Sequence, residues 1–506
     1  MSASLPSETA RPSVRLHELA ASLGASARAR LAGPASPVAL RDVTHDSRAA
    51  GPGVLYACRP GLRADGHDFA PEAVAAGSPA LLVERELPLP VPQLMVDSVA
   101  DQLGHVAAAV HGRPSQRLVL CGITGTNGKT TSAYLLEAAL RAAGYRTGLI
   151  GTVETRIGSE RVAGIRTTPE STDLQRLLRR MLDAGVTAGA MEVSSHGLAL
   201  GRINGTRFRV AAFTNLTQDH LDFHADLAEY FAAKARLFTA ELTEQAVCNV
   251  DDSHGRELAG RITVPVVTVS AAGEAAADVR ATDVDAGPDG SMFTAWLAGR
   301  RLRMRTRLPG HFNVSNALLT LAVADAAGID AEAAATGIGE LDGVPGRMER
   351  IDAGQSFTVL VDYAHTPDSV ENVLRAARAL SRGRLLVVLG CGGDRDRQKR
   401  PFMGHHAVRY ADRAIFTNDN PRSEEPTVIL DAMVEGARTV PDAHWTVEPD
   451  RRAAIALALD TVRPDDVVVI AGKGHEPYQE LATGTVPFDD REVARDLLGL
   501  MGKARA

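Results

Sequence analysis

The sequence predicts an α/β protein of three domains. Three observations carry this reading. Short apolar runs alternate with helical patterns over most of the chain. The 506 residues exceed what one core holds, and at roughly 100–200 residues per domain they suggest three. Two stretches, His111–Gln116 and Gly343–Arg347, interrupt the pattern with Gly and Pro. The expected division is a polar, disordered tail over 1–13, a first domain over 14–112, a second over 113–344 and a third over 345–506.

The elements follow in order. The first domain has a strand signal at Gly53–Cys58 and an Ala-rich helix near Val106. The second begins with a buried-strand run, Arg117–Ile123, and continues as βα alternation to Val250. Val264–Val269 and Phe293–Leu308 alternate apolar and basic residues, as antiparallel strands do, and Asn313–Ala327 reads as an amphipathic helix. In the third domain, strands at Phe357–Val361, Arg384–Leu389, Ala414–Thr417 and Val467–Ala471 alternate with helices at Pro367–Leu380, Thr427–Arg438 and Arg451–Thr461. Parallel strands with crossover helices make a doubly wound, Rossmann-like domain.

Composition narrows the function classes. Hydrophobic residues make up 45% of the chain, enough to build cores, so wholesale disorder is not expected. A formal charge of −7 argues against a sequence-independent nucleic-acid binder, which needs a basic face. Cys58, Cys121, Cys248 and Cys391 are far apart and form no CxxC pair, which disfavours zinc and disulfides. No apolar run reaches about 18 residues and the N-terminus lacks a signal-peptide core, so the expectation is a cytoplasmic protein with no membrane insertion.

The first motif with chemistry is Gly122-Ile-Thr-Gly-Thr-Asn-Gly-Lys-Thr-Thr131, between an apolar strand and a helix. Glycines let backbone N–H groups wrap phosphate oxygens, and the helix N-terminus adds a favourable dipole. Lys129 can reach the β- and γ-phosphates and Thr130 can bind Mg²⁺. The strict phosphate-loop pattern wants Gly at 123, where this chain has Ile123; Gly125 and Gly128 remain. The alternative is a glycine-rich turn with an incidental lysine. Glu192 ends the apolar run Ala188–Met191 and can hold Mg²⁺ beside such a loop, or be an ordinary charged strand end. His220 and His224 are spaced like a helical zinc pair, but no third ligand follows at a familiar spacing. Lys234 reads, by itself, as a solvated lysine on a helix.

Further motifs stand in order behind the loop. They are Glu192-Val-Ser-Ser-His-Gly197, Thr214-Asn-Leu-Thr-Gln-Asp-His-Leu-Asp222 and Gly310-His-Phe-Asn-Val-Ser-Asn316, then Gly346-Arg-Met-Glu349, Asp362-Tyr-Ala-His-Thr-Pro367 and Gly472-Lys-Gly-His-Glu476. With the loop Gly125–Thr131, this series resembles the Mur ligases and their folylpolyglutamate synthetase relatives, from about Val43 to Val493. Asp46-Ser-Arg48 and Asp65-Gly-His-Asp-Phe69 are similar to the tripeptide-synthetase branch of that family, and Asp419-Asn-Pro-Arg422 resembles its diaminopimelate-recognising version.

The resemblance implies an N-terminal domain binding a UDP-linked precursor, a central P-loop ATPase domain with a mainly parallel sheet, and a C-terminal Rossmann-like domain binding an amino acid. It implies a monomeric, ATP-dependent ligase joining meso-diaminopimelate to UDP-MurNAc-L-Ala-D-Glu through an acyl phosphate, in peptidoglycan synthesis. Lys129, Glu192, His220 and Lys234 would be catalytic. Mg²⁺ would be held by Thr130, Glu192, His220 and a CO₂-derived carbamate on Lys234. Gly125, Thr126, Asn127, Gly128, Lys129, Thr130 and Thr131, with Asn316, Arg347 and Asp362, would bind ATP. Ser47, Thr167, Thr168, Ser194 and Arg202 would bind the precursor. Arg166 stands where the family commonly has Asn, and Leu200 where it has Gln.

For diaminopimelate the resemblance points to Arg395, Asp419, Asn420, Pro421, Arg422, Gly472 and Glu476. Arg395 and Arg422 suit a carboxylate and Glu476 an ammonium. The bland reading of Asp419–Arg422 is a turn. Other functions compete with this one. Arg422 argues against a lysine-adding relative. The block of about 110 residues ahead of the loop argues against a folylpolyglutamate synthetase. Intact Thr130, Glu192, His220 and Lys234 argue against a non-catalytic nucleotide-binding regulator.

Overall fold

The structure is a computed structural model that describes residues 13–23, 27–61, 64–287 and 289–505. Apart from Ser13, the tail expected to be disordered lies outside these residues.

The first sheet has five strands in the order Arg30–Ala32, Gln93–Met95, Ala80–Val83, Val54–Ala57, Asp42–Thr44, and only Arg30–Ala32 runs antiparallel. Helix Val99–Val110, capped by Ser98, buries Leu103, Val106 and Val110 against Val43, Leu55, Leu82 and Leu94. The apolar side chains at three- and four-residue intervals supply that face.

The central sheet has eleven strands, with Val119–Thr124 in its interior. Ala188–Glu192 and Phe208–Phe213 flank it in parallel. Registers Glu192↔Ile123 and Phe213↔Thr124 bring three strand ends to one edge. This edge is where parallel α/β sheets place ligands. The alternating segment after Val264 corrects the expectation. Val266–Ser270 pairs in parallel on both sides, with Thr243–Asn249 and Val279–Gly287. Alternation records which face is buried, while the crossover helix Ser253–Ala259 sets the strand direction. Antiparallel pairing on this side of the sheet begins with Val279–Gly287 against Gly290–Leu297, then Arg300–Thr306 after a turn at Ala298–Gly299; the opposite edge, Glu154–Ile157 and Glu160–Ala163, is antiparallel too.

Helix His311–Ala326 also departs from expectation. It is buried nearly all round, from Val314 and Ala317 to Leu319 and Val323, between the sheet and helix Lys129–Ala142. A helix apolar on every side is a core helix, not an amphipathic one.

The third domain's sheet runs Glu349–Ile351, Thr358–Asp362, Val467–Ala471, Leu385–Leu389, Arg413–Phe416, Trp445–Val447, with only Glu349–Ile351 antiparallel. Separate cores cover its two faces. Beyond the sheet, helix Lys399–Tyr410, hairpin Tyr478–Leu481/Gly484–Pro487 and helix Asp490–Arg505 also appear here. Lys399–Tyr410 looks too polar for a core helix. It packs because a Cβ at Gly404 would strike Met433 and one at Gly436 would strike Pro401, so both glycines permit a close crossing with helix Pro426–Ala437. No helix among the described residues is long and apolar enough to cross a membrane.

One buried ion pair ties this domain's strand ends together. Arg451 and Asp490 have fully buried side chains and join through Nε–Oδ1 and Nη2–Oδ2, both 2.7 Å. Arg451 also donates to the carbonyls of Ala471 at 2.9 Å and Asn418 at 3.3 Å. It thereby holds the roots of the loops carrying Gly472 and Asp419. Arg451→Met strands the Asp490 charge, and chemical denaturation should register a loss of about 3–5 kcal/mol.

Candidate active site between the second and third domains

A cavity of about 540 Å³ opens at the aligned strand ends. The phosphate loop forms its floor. Gly125 and Gly128 have φ of +146° and +89°. A side chain at Gly125 would strike Thr214 Oγ1, and one at Gly128 would meet Asn316 Oδ1. Lys129 Nζ donates to the carbonyls of Gly125 at 2.9 Å and Thr126 at 2.8 Å. Burial lowers its pKa. Asn316 lines the cavity and donates to Asn313 Oδ1 at 3.0 Å.

Glu192, 1% exposed, sits beside this floor. Thr130 Oγ1 donates to its Oε2 at 2.9 Å, Thr152 Oγ1 to Oε2 at 3.0 Å, and the Thr152 amide to Oε1 at 2.8 Å. Arg347 Nη2, from the third domain, reaches Thr130 Oγ1 at 3.0 Å. A hydroxyl and a carboxylate at this spacing suit a hard cation that keeps waters and phosphate oxygens in its shell. They do not make a closed protein cage, and no group of three His, Cys, Asp or Glu side chains converges among the described residues.

His220, at φ +57°, lines the same cavity, and burial pushes its imidazole down to about 3. It is a neutral ring able to ligate. His224 is 1% exposed and packs against Tyr230 and His196. Lys234 is also interior, at 1% exposure, against its reading as a solvated helix lysine. Its Nζ donates to the Gly125 carbonyl at 2.8 Å and lies 4.4 Å from the centre of the Tyr230 ring. Burial, then the nearby Lys129 charge, drives its pKa well below the usual lysine value.

The other expected residues divide among three places. Thr167, Thr168, Ser194, Arg202, Arg347, Asp362 and Arg395 line the cavity. Thr167 Oγ1 is 2.9 Å from Thr152 Oγ1, and Thr168 Oγ1 donates to the Glu192 carbonyl at 3.1 Å. Asp362 is buried, which raises its pKa, and accepts the amides of Met348 and Ala364 at 2.7 Å. Ser47 lies in a turn of the first domain, outside the cavity lining.

Asp419, Asn420, Pro421, Arg422, Gly472 and Glu476 form a neighbouring cluster in the third domain, also outside that lining. Asn420 Nδ2 donates to Glu476 Oε2 at 2.9 Å. Arg422, at φ +52°, is not a free clamp: its Nε pairs with Glu480 Oε2 at 2.5 Å and its Nη1 donates to the Gly393 carbonyl at 2.8 Å. Gly472, at φ +113°, donates its amide to the Asp362 carbonyl at 3.1 Å.

Several participants escaped the sequence reading. Lys473 is fully buried and donates to Asn420 Oδ1 at 2.9 Å and Glu476 Oε2 at 3.2 Å. Burial and Asp419 push the Glu476 carboxyl up, with Lys473 opposing. Tyr363 lines the cavity, lies under the Arg347 guanidinium at 4.5 Å and donates to Glu476 Oε1 at 3.4 Å, so it joins the cavity to this cluster. Asp219, 5% exposed, faces His365 at 3.8 Å and Lys399 at 3.7 Å across the domain boundary. Lys473 and Tyr363 lie inside quoted motifs and could have been singled out there. Thr152 and Lys399 carried no signal.

Comparison with known proteins supplies a second line of information. Residues 40–111, 123–324 and 346–474 match, in turn, the catalytic domain of the Mur ligase family, the Mur ligase middle domain and the Mur ligase glutamate ligase domain. A Streptomyces coelicolor protein named UDP-N-acetylmuramoyl-L-alanyl-D-glutamate–2,6-diaminopimelate ligase is 49% identical over 96% of each chain. A Geobacillus kaustophilus protein of the same name is 45% identical over 89% of this chain and 93% of its own. A solved structure of a ligase of that name shares 32% identity, covers 92% of this chain and 96% of its own, and superposes with a TM-score of 0.66. MurF from Acinetobacter baumannii, at 18% identity with 95% and 98% covered and a TM-score of 0.66, shares the fold.

The phosphate loop offers a direct test of this geometry. Gly128→Ala forces a Cβ toward Asn316 in a left-handed backbone. Thermal melts should show a loss of about 1–3 kcal/mol, and titration with a fluorescent ADP analogue should show weakened binding.

Proposed function

This chain belongs to the Mur ligase family, and we propose that it joins 2,6-diaminopimelate to UDP-N-acetylmuramoyl-L-alanyl-D-glutamate, consuming ATP. One observation carries the reading. Lys129, Glu192, buried Lys234 and the third-domain Arg347 meet around one cavity, with Arg395 on its wall. The relatives' shared name supplies the substrates.

The chemistry follows from positioning and charge neutralisation. The phosphate loop holds the triphosphate, and Lys129 neutralises the γ-phosphoryl group as it passes to the glutamate carboxylate. Arg347 approaches the same group from the third domain. The amine of diaminopimelate then attacks the acyl phosphate, and inorganic phosphate leaves. Contact between the second and third domains excludes the water that would hydrolyse this intermediate.

Thr130, Glu192 and His220 would hold Mg²⁺, which neutralises phosphate charge when bound. Lys234 supports a further step. A buried, neutral amine can add to CO₂, and the resulting carbamate is a carboxylate-like group beside the phosphate loop. In the third domain, the distal carboxylate of diaminopimelate competes with Glu480 for Arg422, and Glu476 suits the distal ammonium.

The reading is tested by phosphate release from ATP with the UDP-linked precursor and, in turn, meso-diaminopimelate, L-lysine or L-glutamate. Turnover with diaminopimelate alone is expected. Turnover with lysine would overturn the specificity, and turnover with none would overturn the ligation. Arg422→Lys removes the fork geometry, so kcat/KM for diaminopimelate should fall about 10–100-fold while ADP binding stays unchanged. Lys234→Ala should lose most activity and regain part of it in millimolar acetate or propionate, which stand in for the carbamate. Full activity without any added acid would remove Lys234 from the reaction.

A further inference from the structure

Three arginines converge on one carboxylate where the first domain meets the second. Glu170 stands just before helix Ser171–Asp183. Its Oε1 receives Arg202 Nη2 at 2.9 Å and also pairs with Arg166 Nη1, and its Oε2 receives Arg59 Nη1 at 3.3 Å. Arg59 comes from the first domain. Arg166 and Arg202 line the cavity. The side chains of Glu170 and Arg202 are only 16% and 14% exposed.

Three guanidiniums against one carboxylate leave an excess of positive charge, partly desolvated at Arg59 and Arg202, while Arg166 is 51% exposed. Arg202 Nε is moreover buried without a hydrogen-bond partner. A buried donor left unpaired beside uncompensated cations is the signature of an anion-binding wall. Its position selects the anion. Arg202 Nη1 donates to the Thr168 carbonyl at 3.3 Å, and the Thr168 hydroxyl lies on the Glu192 carbonyl at 3.1 Å. The wall therefore adjoins the phosphoryl-transfer end of the cavity.

Glutamate joined through its amine keeps two carboxylates. One is activated, and the other would otherwise sit unpaired beside a triphosphate. We propose that Glu170 is a positioning residue, holding Arg166 and Arg202 so that they grip the acceptor glutamate's second, unreacted carboxylate, while Arg59 couples the first domain to that grip. This rests on the ligase reading above. Arg166, where the family commonly has Asn, gives this chain a second guanidinium in the wall.

The test is steady-state kinetics of the full chain, with ATP and diaminopimelate saturating. The precursor ends either in D-glutamate or in D-isoglutamine, in which the second carboxylate is an amide. The wild type should show a KM about tenfold or more higher for the amide. Glu170→Ala, and Arg166→Ala on the cavity wall, should shrink that ratio to below about threefold by raising KM for the carboxylate precursor, with KM for ATP unchanged. Glu170→Asp should restore part of the ratio, which a merely structural role would not require.

Equal use of both precursors by the wild type, or an unchanged or larger ratio in the variants, overturns the proposal. So does an equal rise in Ki for UDP-N-acetylmuramate, which lacks the peptide, because that assigns the wall to the diphosphate. Absence of any wild-type turnover counts against the ligase reading and takes this proposal with it. Turnover with unaltered discrimination sinks this proposal alone.

Discussion

A carboxylate buried to 1% exposure persists only if its lone pairs are met, and the arrangement around Glu192 follows from that requirement. Thr130 meets it from the first turn of the phosphate-loop helix, and Thr152 meets it twice from the loop after Thr147–Ile150. Through Thr130, Arg347 brings in the third domain. Through its carbonyl, Glu192 fixes Thr168 and with it the Arg202 wall. The glycine-loop floor, the Arg202 wall and the third domain are thus all referenced to one side chain. Its own place comes from parallel register with the phosphate-loop strand.

The same edge carries a buried lysine and a half-buried one that share an acceptor. Lys129 and Lys234 both donate to the Gly125 carbonyl, at 2.9 and 2.8 Å. Two ammonium groups cannot cheaply share so little solvent, and both pKa values fall, that of Lys234 well below the usual lysine value. The environment separates them by role. Lys129 lies on the loop that wraps phosphate, and Lys234 lies behind it against Tyr230. A single crowded carbonyl thereby faces two ammonium groups, and the shift is the larger for Lys234.

A second polar network lies inside the third domain, apart from the cavity lining. Lys473, Asn420 and Glu476 satisfy one another in a closed network, and Glu480 occupies Arg422. A polar network of this kind fixes geometry because each member lost leaves the others buried and unpaired. The Arg451–Asp490 pair steadies both loops from below. Tyr363 carries the connection to the cavity.

Much of this was legible from the chain alone. The phosphate loop could be read because strand, glycines and lysine are contiguous, and the third-domain strands and helices because their apolar periods are local. Nothing local distinguished Lys234 from a surface lysine, since its burial comes from elements far away in sequence. The direction of Val266–Ser270 and the all-round burial of His311–Ala326 were hidden for the same reason: a period reveals a buried face, not what lies on the other side. Asp219 with Lys399, Arg422 with Glu480, and Glu170 with Arg59 pair across loops or domains, and sequence distance carries no trace of such contacts. The sequence by itself determined the α/β class, the phosphate chemistry and the family. Only the tertiary structure decided which side chains lose their water, and it is that loss which pulls a lysine's pKa down, leaves an arginine Nε unpaired and makes a carboxylate a hub.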